Sequence, residues 1–320
     1  MKFSTHTNGK LLLTGEYFVT EGAVALALPT KLGQSLEVKF KRTKKDEPRK
    51  LYWKSLTHEG ETWLDATFEL PHLELLEVEG EEDKEEVAAV LQNILDQAQH
   101  LNPDFLDEYK SSLEVTCQLD FPRDWGLGSS STLITMIAQW AEVDPFQLLE
   151  YTFGGSGYDI AAATAEGPLL FQKFNGNNRW DRSLFNPVFK EQLYFVHLGQ
   201  KQSSREALVY YTITPPEERE RPLPRITQIT HDIAQYTHNL EDFEALIEEH
   251  EGLVQDIIQQ PRAKDQHFSD FWGAVKSLGA WGGDFVLVTS NRSEEETKAY
   301  FNNKGYNTVL RYDELIKEYE

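Results

Sequence analysis

The sequence predicts an α+β fold. Two observations carry that prediction. Short apolar or alternating runs of strand character and longer runs with helical spacing occur together in each half of the chain. No internal repeat or heptad array imposes a different order. A length of 320 residues suits two domains or one large one.

The elements follow in order. Leu11 to Leu13 and Val24 to Leu28 are apolar strand runs, while Gln34 to Phe40, Leu51 to Trp53 and Thr62 to Phe68 alternate more. The acidic stretch Glu77 to Glu86 reads as a solvated loop. From Glu85 to His100, residues Val87, Val90, Leu91, Ile94 and Leu95 recur at helical spacing. A strand (Leu113 to Leu119), a glycine loop and an apolar helix (Thr132 to Ala141) come next. A Gly-Gly turn at Gly154 leads into a small-residue helix ending near Gly167. Leu169 to Phe174 is a strand, and the Asn- and Arg-rich stretch Asn175 to Pro187 is a candidate boundary. This gives expected domains at 1–183 and 184–320. Leu193 to Leu198 is a strand, Ser204 to Leu278 mainly helical, Phe285 to Thr289 a buried strand, Ser293 to Asn303 a helix and Tyr306 to Leu310 a last strand.

Composition narrows the function classes. The net charge of −22 argues against nucleic acid and anionic membranes as partners. No stretch reaches the length of a membrane span, and the N-terminus MKFSTHTNGK lacks a signal-peptide core. The single cysteine, Cys117, cannot form an internal disulfide, which fits a cytoplasmic protein. An anionic ligand would need local cations and backbone dipoles to reverse the field of so acidic a chain.

One segment offers such dipoles. In GLGSSS, Gly126 to Ser131, two glycines permit a tight turn and close ligand approach. Three serines then open a helix whose unpaired N–H groups suit a phosphate. No Gly-Lys-Ser/Thr follows, so this is not a Walker A loop. Alone, the run fits a serine-capped strand-to-helix turn equally well.

Three further segments are informative beside it. Lys10 follows a glycine directly before the first apolar strand; its ammonium could reach a site at the strand end, or lie on the surface. In GGSGYDIAAA, Gly154 to Ala163, Asp159 starts a small-residue helix, where the dipole alone would also stabilise an acid. In KSLGAWGGDFVLV, Lys276 to Val288, a glycine turn precedes a buried strand, which a helix C-cap would also explain.

Taken together and in this order, the four segments resemble the GHMP kinase superfamily of galactokinase, homoserine kinase, mevalonate kinase and phosphomevalonate kinase. The resemblance covers nearly the whole chain. It implies a two-domain fold with a ribosomal-protein-like N-terminal domain binding ATP and a ferredoxin-like C-terminal domain covering the acceptor. GEY (Gly15 to Tyr17), GSGYDIAAA and GGD (Gly282 to Asp284) resemble the phosphomevalonate kinase branch most. The run HLGQKQSSREALV, His197 to Val209, resembles a segment of both mevalonate-pathway kinases, with Lys201 and Arg205 as candidate anion contacts. Solvated helix-start charges would explain those two equally well. Two departures stand out. Trp281 occupies a glycine position of the pattern and should crowd the turn, and Thr132 replaces a common small residue.

The resemblance implies ATP-dependent phosphorylation of a small molecule, with Mg²⁺. Gly126, Leu127, Gly128, Ser129, Ser130 and Ser131 would hold the phosphates, and Ser130 would offer a hydroxyl to the metal. Glu150, the nearest acid upstream of Asp159, is a second candidate metal ligand or an exposed acid. Lys10 would stabilise charge at the transferred phosphoryl, and Asp159 would orient the acceptor or take its proton. Lys10, Glu16, Tyr17, Ser156, Gly157, Lys201, Arg205, Gly279 and Ala280 are candidate acceptor contacts, with Arg182, His197 and His250 as weaker ones. The expected acceptor is 5-phosphomevalonate before mevalonate. The alternatives are another acceptor, such as a sugar or amino alcohol, or a non-catalytic regulator of the same fold.

Overall fold

The computed structural model describes residues 3–43, 47–107, 109–174, 176–199, 209, 211–279, 281 and 284–320. Packing divides the chain into two compact units. The first comprises Met1–Gly9, Leu32–Arg123 and Gly128–Thr164; the second comprises Lys10–Lys31, Asp124–Leu127 and Ala165–Glu320. We propose a domain boundary at 183/184 within the second of these units. The strands β1 (Phe3–Thr14) and β2 (Ala25–Lys41) each give one part to either unit. β2 joins two runs that the sequence suggested as separate strands.

In the first unit the strand order is β5-β4-β3-β6-β2, with β3 (Lys50–Leu56), β4 (Thr62–Glu69), β5 (Glu74–Gly80) and β6 (Ser112–Leu119). β3 and β6 run parallel, placing Leu51 beside Leu113 and Trp53 beside Val115; the other pairs are antiparallel. Alternation along the strands buries one face: Leu36 and Val38, Leu51 and Trp53, Leu64, Ala66 and Phe68, Val115 and Cys117. Each large side chain buried there contributes about 1.5–3 kcal/mol.

The acidic stretch is not simply a loop. β5 takes its first residues and α1 (Lys84–Leu101) its last. An edge strand needs only one partner, so the carboxylates of Glu77 and Glu79 stay in water while the backbone pairs with β4. α1 buries Ala88, Leu91, Ile94, Leu95 and Ala98. The stripe runs 88-91-95-98, and Val90, turned about 100° from it, is 38% exposed. The predicted apolar set therefore missed the two alanines. α2 (Ser129–Ala141), α3 (Pro145–Thr152) and α4 (Tyr158–Thr164) complete the unit.

In the second unit the first part of β2 pairs with β7 (Leu169–Phe174), which pairs with β8 (Asn177–Arg182). The stretch read as a loose boundary is thus partly a strand, its polar side chains exposed at the edge of the sheet. A separate antiparallel sheet has the order β10-β11-β9-β12, formed by β9 (Leu193–His197), β10 (Val275–Ser277), β11 (Phe285–Thr289) and β12 (Val309–Arg311). That order places β9, the first in sequence, between the third and the last. β9 and β11 are buried throughout, as their unbroken apolar runs require. The helical reading up to Leu278 fails at its end, because Val275 to Ser277 pair with Val286 to Val288. α5 (Leu223–Gln235), α6 (Leu240–Ile258) and α7 (Glu294–Asn303) are helices as expected. Ser293 starts α7 through a capping box with Glu296.

Candidate active site

The chain passes from the second unit to the first inside the glycine loop, between Leu127 and Gly128.

In the second unit, Asp124 to Leu127 are fixed from several directions. The Nζ of Lys10 donates to the carbonyl oxygen of Gly126 at 3.0 Å, and the backbone N–H of Lys10 donates to that of Leu127 at 2.9 Å. Lys10 therefore reaches the loop, but from within β1 (Phe3–Thr14) and not from the strand end that the sequence suggests, because the polar residues before it also pair in the strand. Gly126 has φ +65°, and a Cβ there would lie 2.1 Å from the carboxylate carbon of Asp284. Only glycine permits this approach. The indole of Trp125 packs on His197 (centroids 5.9 Å apart) and edge-on against Phe285 (5.5 Å). His197, largely buried, also meets the carbonyl oxygen of Asp124 through Nε2 at 3.2 Å.

In the first unit, Gly128 caps α2 in the left-handed region, at φ 89°. The Oγ of Ser131 donates to the Gly128 carbonyl at 2.8 Å, so that buried hydroxyl is committed to the turn. Ser130 is exposed and Ser129 half-buried. With the first-turn N–H groups of a 13-residue helix, these two serines form the part of the loop able to meet an anion or an oxygen-seeking cation. Thr132 is accommodated behind them. Its Oγ1 donates to Oε1 of Gln34 at 2.5 Å, and Nε2 of Gln34 lies 2.9 Å from Sγ of Cys117. Burial pushes the Cys117 thiol up to about 12, with the Gln34 hydrogen bond opposing. The thiol is therefore a neutral packing group, not a nucleophile.

Asp159 stands in the first turn of α4, and its Oδ1 accepts from the N–H of Ile160 at 3.1 Å. Gly154, Gly155 and Gly157 before it all have positive φ, so the approach to Asp159 depends on its glycines. Ser156 is buried, and Gly157 accepts from the N–H of Ala161 at 3.2 Å. Glu150 is exposed on α3. Among the described residues, no cluster of three or more His, Cys, Asp or Glu side chains forms a metal cage. The residues fit a cation held mainly by its own water and ligand oxygens, with Ser130 as an accessible hydroxyl.

Other candidates stand apart from the loop. Glu16 and Tyr17 point into the second unit's core. Glu16 contacts Lys276, and Tyr17 stacks on Tyr211 at 5.5 Å. Burial, opposed by Lys276, raises the Glu16 carboxyl to about 7. Gly279 has φ +63° in the turn after β10. Trp281 keeps the glycine-like backbone, at φ 55°, but does not stand in the turn as an obstruction. Its buried indole joins Tyr17, Tyr211 and Val254, and Nε1 donates to the Pro261 carbonyl at 3.1 Å. Arg182 is engaged over the ring of Tyr319 at 3.8 Å. Lys201, Arg205 and Ala280 lie outside the described residues. Sequence reasoning missed Asp284 and Trp125 as loop neighbours. The signal was a GGD end and a tryptophan directly before the glycines.

No protein-family profile matches the chain, and no curated protein sequence does either. Solved structures do. Mevalonate kinase of Methanococcus jannaschii is 17% identical with a TM-score of 0.65, covering 100% of this chain and 98% of its own. Phosphomevalonate kinase of Streptococcus pneumoniae, solved with phosphomevalonate and AMPPNP, is 16% identical with a TM-score of 0.65, covering 97% and 99%. Galactokinase of Lactococcus lactis, complexed with galactose, is 13% identical with a TM-score of 0.65, covering 99% and 94%. The α+β fold is therefore that of the GHMP kinases. Equal scores for three acceptor types leave the acceptor open at the level of fold.

Proposed function

We propose that the protein is an ATP-dependent small-molecule kinase of the mevalonate-pathway type, acting on 5-phosphomevalonate before mevalonate. The observation that carries the reading is Lys10 Nζ on the Gly126 carbonyl, at 3.0 Å, where the chain enters a helix-start loop. A lysine held there puts a positive charge on the segment that leads into the helix-start N–H donors of α2. Phosphoryl transfer needs little else from a protein than positioning and charge neutralisation.

Each residue then has a defined task. The N–H groups at the start of α2 hold the phosphate oxygens of ATP, and Ser129 and Ser130 add hydroxyls. Mg²⁺, when bound, neutralises the phosphate charge, with Ser130 as its candidate protein contact and Glu150 as a weaker one. Lys10 binds negative charge as the phosphoryl group moves. Asp159 orients the acceptor, and takes its proton if the acceptor is a hydroxyl. A phosphate acceptor has a second pKa near 6 and arrives largely dianionic. It needs cations rather than a base, a role proposed for Lys201 and Arg205.

The test is ADP release with mevalonate and with 5-phosphomevalonate side by side. Turnover of the phosphorylated acceptor supports the reading. Turnover of galactose or an amino alcohol alone would move the protein to the second reading, a GHMP kinase for another acceptor. ATP binding with no acceptor turned over would favour a regulator. A reducing cytoplasmic location is proposed on the single buried cysteine. Among the described residues, no helix is long and apolar enough to cross a membrane.

A further inference from the structure

Five polar side chains meet inside the second unit, shielded from solvent: Glu16 after β1, His250 and Glu251 on α6, and Lys276 and Ser277 on β10. The Nζ of Lys276 donates to Oε1 of Glu16, to Oε1 of Glu251 at 3.1 Å and to the Ser277 carbonyl at 2.8 Å. Oε2 of Glu251 accepts from Oγ of Ser277 at 3.1 Å. Glu251 is thus satisfied at both oxygens, and Lys276 uses all three of its protons.

Oε2 of Glu16 is different. It is buried without a hydrogen bond and lies 3.4 Å from Nε2 of His250. That nitrogen accepts the N–H of Gly15 at 3.0 Å, so it carries no proton. Two lone-pair atoms therefore face each other in a dry site. Lys276 and Glu251 balance in charge, which leaves an ionised Glu16 uncompensated. A proton on Oε2 resolves both problems, because it removes the uncompensated charge and sets a hydrogen, not a lone pair, against Nε2, whose single lone pair already accepts from Gly15.

We propose that Glu16 is a positioning residue held as a neutral carboxylic acid, clamped by Lys276 on one oxygen and carrying its proton on the oxygen that faces His250, so that it pins the Gly15–Tyr17 turn to β10. This rests on the kinase reading only for what it positions. β1 carries Lys10, and the segment after β10 leads to Asp284, which packs on Gly126. The clamp therefore holds together, within one unit, the two segments that reach the start of the glycine loop. Burial as the main cause, with Glu251 adding and Lys276 opposing, is consistent with a carboxyl that ionises near neutrality. Burial and the Lys276 charge hold His250 well below its usual range, so its ring is neutral throughout. Tyr17 also interacts with Glu16, and burial together with the nearby carboxylates keeps its phenol neutral at these pH values. Above neutrality the ionised carboxylate repels Nε2, and the turn loosens.

The experiment compares the full-length protein with Glu16→Gln, whose amide mimics the neutral acid and cannot ionise. Infrared difference spectra of the wild type between about pH 6 and pH 9 should lose a protonated-carboxyl band that Glu16→Gln never shows. At pH 8.5, amide hydrogen exchange in peptides spanning 12–18 and 276–285 should be at least about fivefold faster in the wild type than in Glu16→Gln, with other peptides alike. The ratio of kcat at pH 8.5 to kcat at pH 6.5 should fall about fivefold in the wild type and stay flat in Glu16→Gln. Absence of the band, or equal exchange in the two proteins, overturns the proposal. If band and exchange behave as stated but neither acceptor is turned over, the clamp stands and the kinase reading falls.

Discussion

The ammonium of Lys10 is bonded to the carbonyl of Gly126, 116 residues away in sequence, at 3.0 Å. A lysine within a strand and a glycine in a turn are each unremarkable. Joined, they put a positive charge at the mouth of a loop whose next turn is a helix N-terminus. In a chain of net charge −22, an anionic substrate requires local cations of this kind.

Lys10→Met should therefore remove phosphoryl transfer while leaving the fold. Losing one well-placed charge partner of the transition state costs roughly 100- to 1,000-fold in kcat. Steady-state ADP release, with circular dichroism as the folding control, measures it. A variant within threefold of the wild type would deny Lys10 its role.

Gly126→Ala should destabilise the second unit and distort the loop. The added methyl meets the Asp284 carboxylate at 2.1 Å, and φ +65° adds about 1 kcal/mol of backbone strain. Combining it with Asp284→Ala removes the collision but not the strain. The double variant should regain most of the lost melting temperature. Equal melting temperatures for Gly126→Ala and the double variant would show that the contact is not tight.

Trp281→Gly restores the residue that the resemblance expects, and it should still destabilise. Relief of a left-handed tryptophan is worth roughly 1–2 kcal/mol. Losing the buried indole and its bond to Pro261 costs about 3–5 kcal/mol, and that effect wins. Chemical denaturation reads the net loss of about 1–4 kcal/mol. A more stable variant would mean that the indole contributes little.

Why this residue was misjudged from sequence bears on how far the sequence was legible. Gly126 and Gly128 were readable because their conformations are local, a turn and a cap, whereas Lys10 lies inside β1 and its bond to Gly126 joins distant parts of the sequence. The position of Asp159 at the start of a small-residue helix was legible for the same reason, and its role remains part of the proposal. Trp281 was expected to crowd the turn, because sequence shows which residue stands there and not where its ring goes. The Glu16–Lys276 contact joins residues 260 apart, and no local pattern signals it. Among the elements, β9 and β11 were legible as continuous apolar runs. β8 was not, because at a sheet edge backbone pairing alone makes a strand and the polar side chains stay in water. Lys276 and Ser277 were read as the end of a helical stretch, since three residues of strand carry too little periodicity to show.

The pH dependence of stability should carry the signature of Glu16. Its carboxyl is raised from 4.5 to about 7, so the folded protein binds more protons than the unfolded chain between those values. Its contribution to stability is therefore present at low pH and is lost as pH rises across that window. His250, depressed from 6.5, acts with the opposite sign: its contribution is lost as pH falls below that value. The two slopes oppose each other in the wild type, so the informative quantity is a difference. The melting temperature of the wild type minus that of Glu16→Gln should decline from about pH 5 to about pH 7.5. A flat difference would show that Glu16 does not titrate in the window.

Asp159→Asn separates the two acceptor chemistries. If the acceptor is a hydroxyl and Asp159 takes its proton, kcat should fall by about 100-fold or more. With a phosphate acceptor, only orientation is lost and the fall should be smaller, about tenfold. Measuring kcat with each acceptor gives the contrast directly. Unchanged turnover with mevalonate would exclude Asp159 as an essential base.

The most direct measurement remains coupled ADP release with purified protein, Mg²⁺ and ATP, offering 5-phosphomevalonate and mevalonate in parallel, with Lys10→Met as the control. The account predicts turnover of at least one, higher kcat/KM for 5-phosphomevalonate, and its loss in the variant. Failure on both acceptors, with nucleotide still bound, would contradict the pathway assignment and leave only the fold.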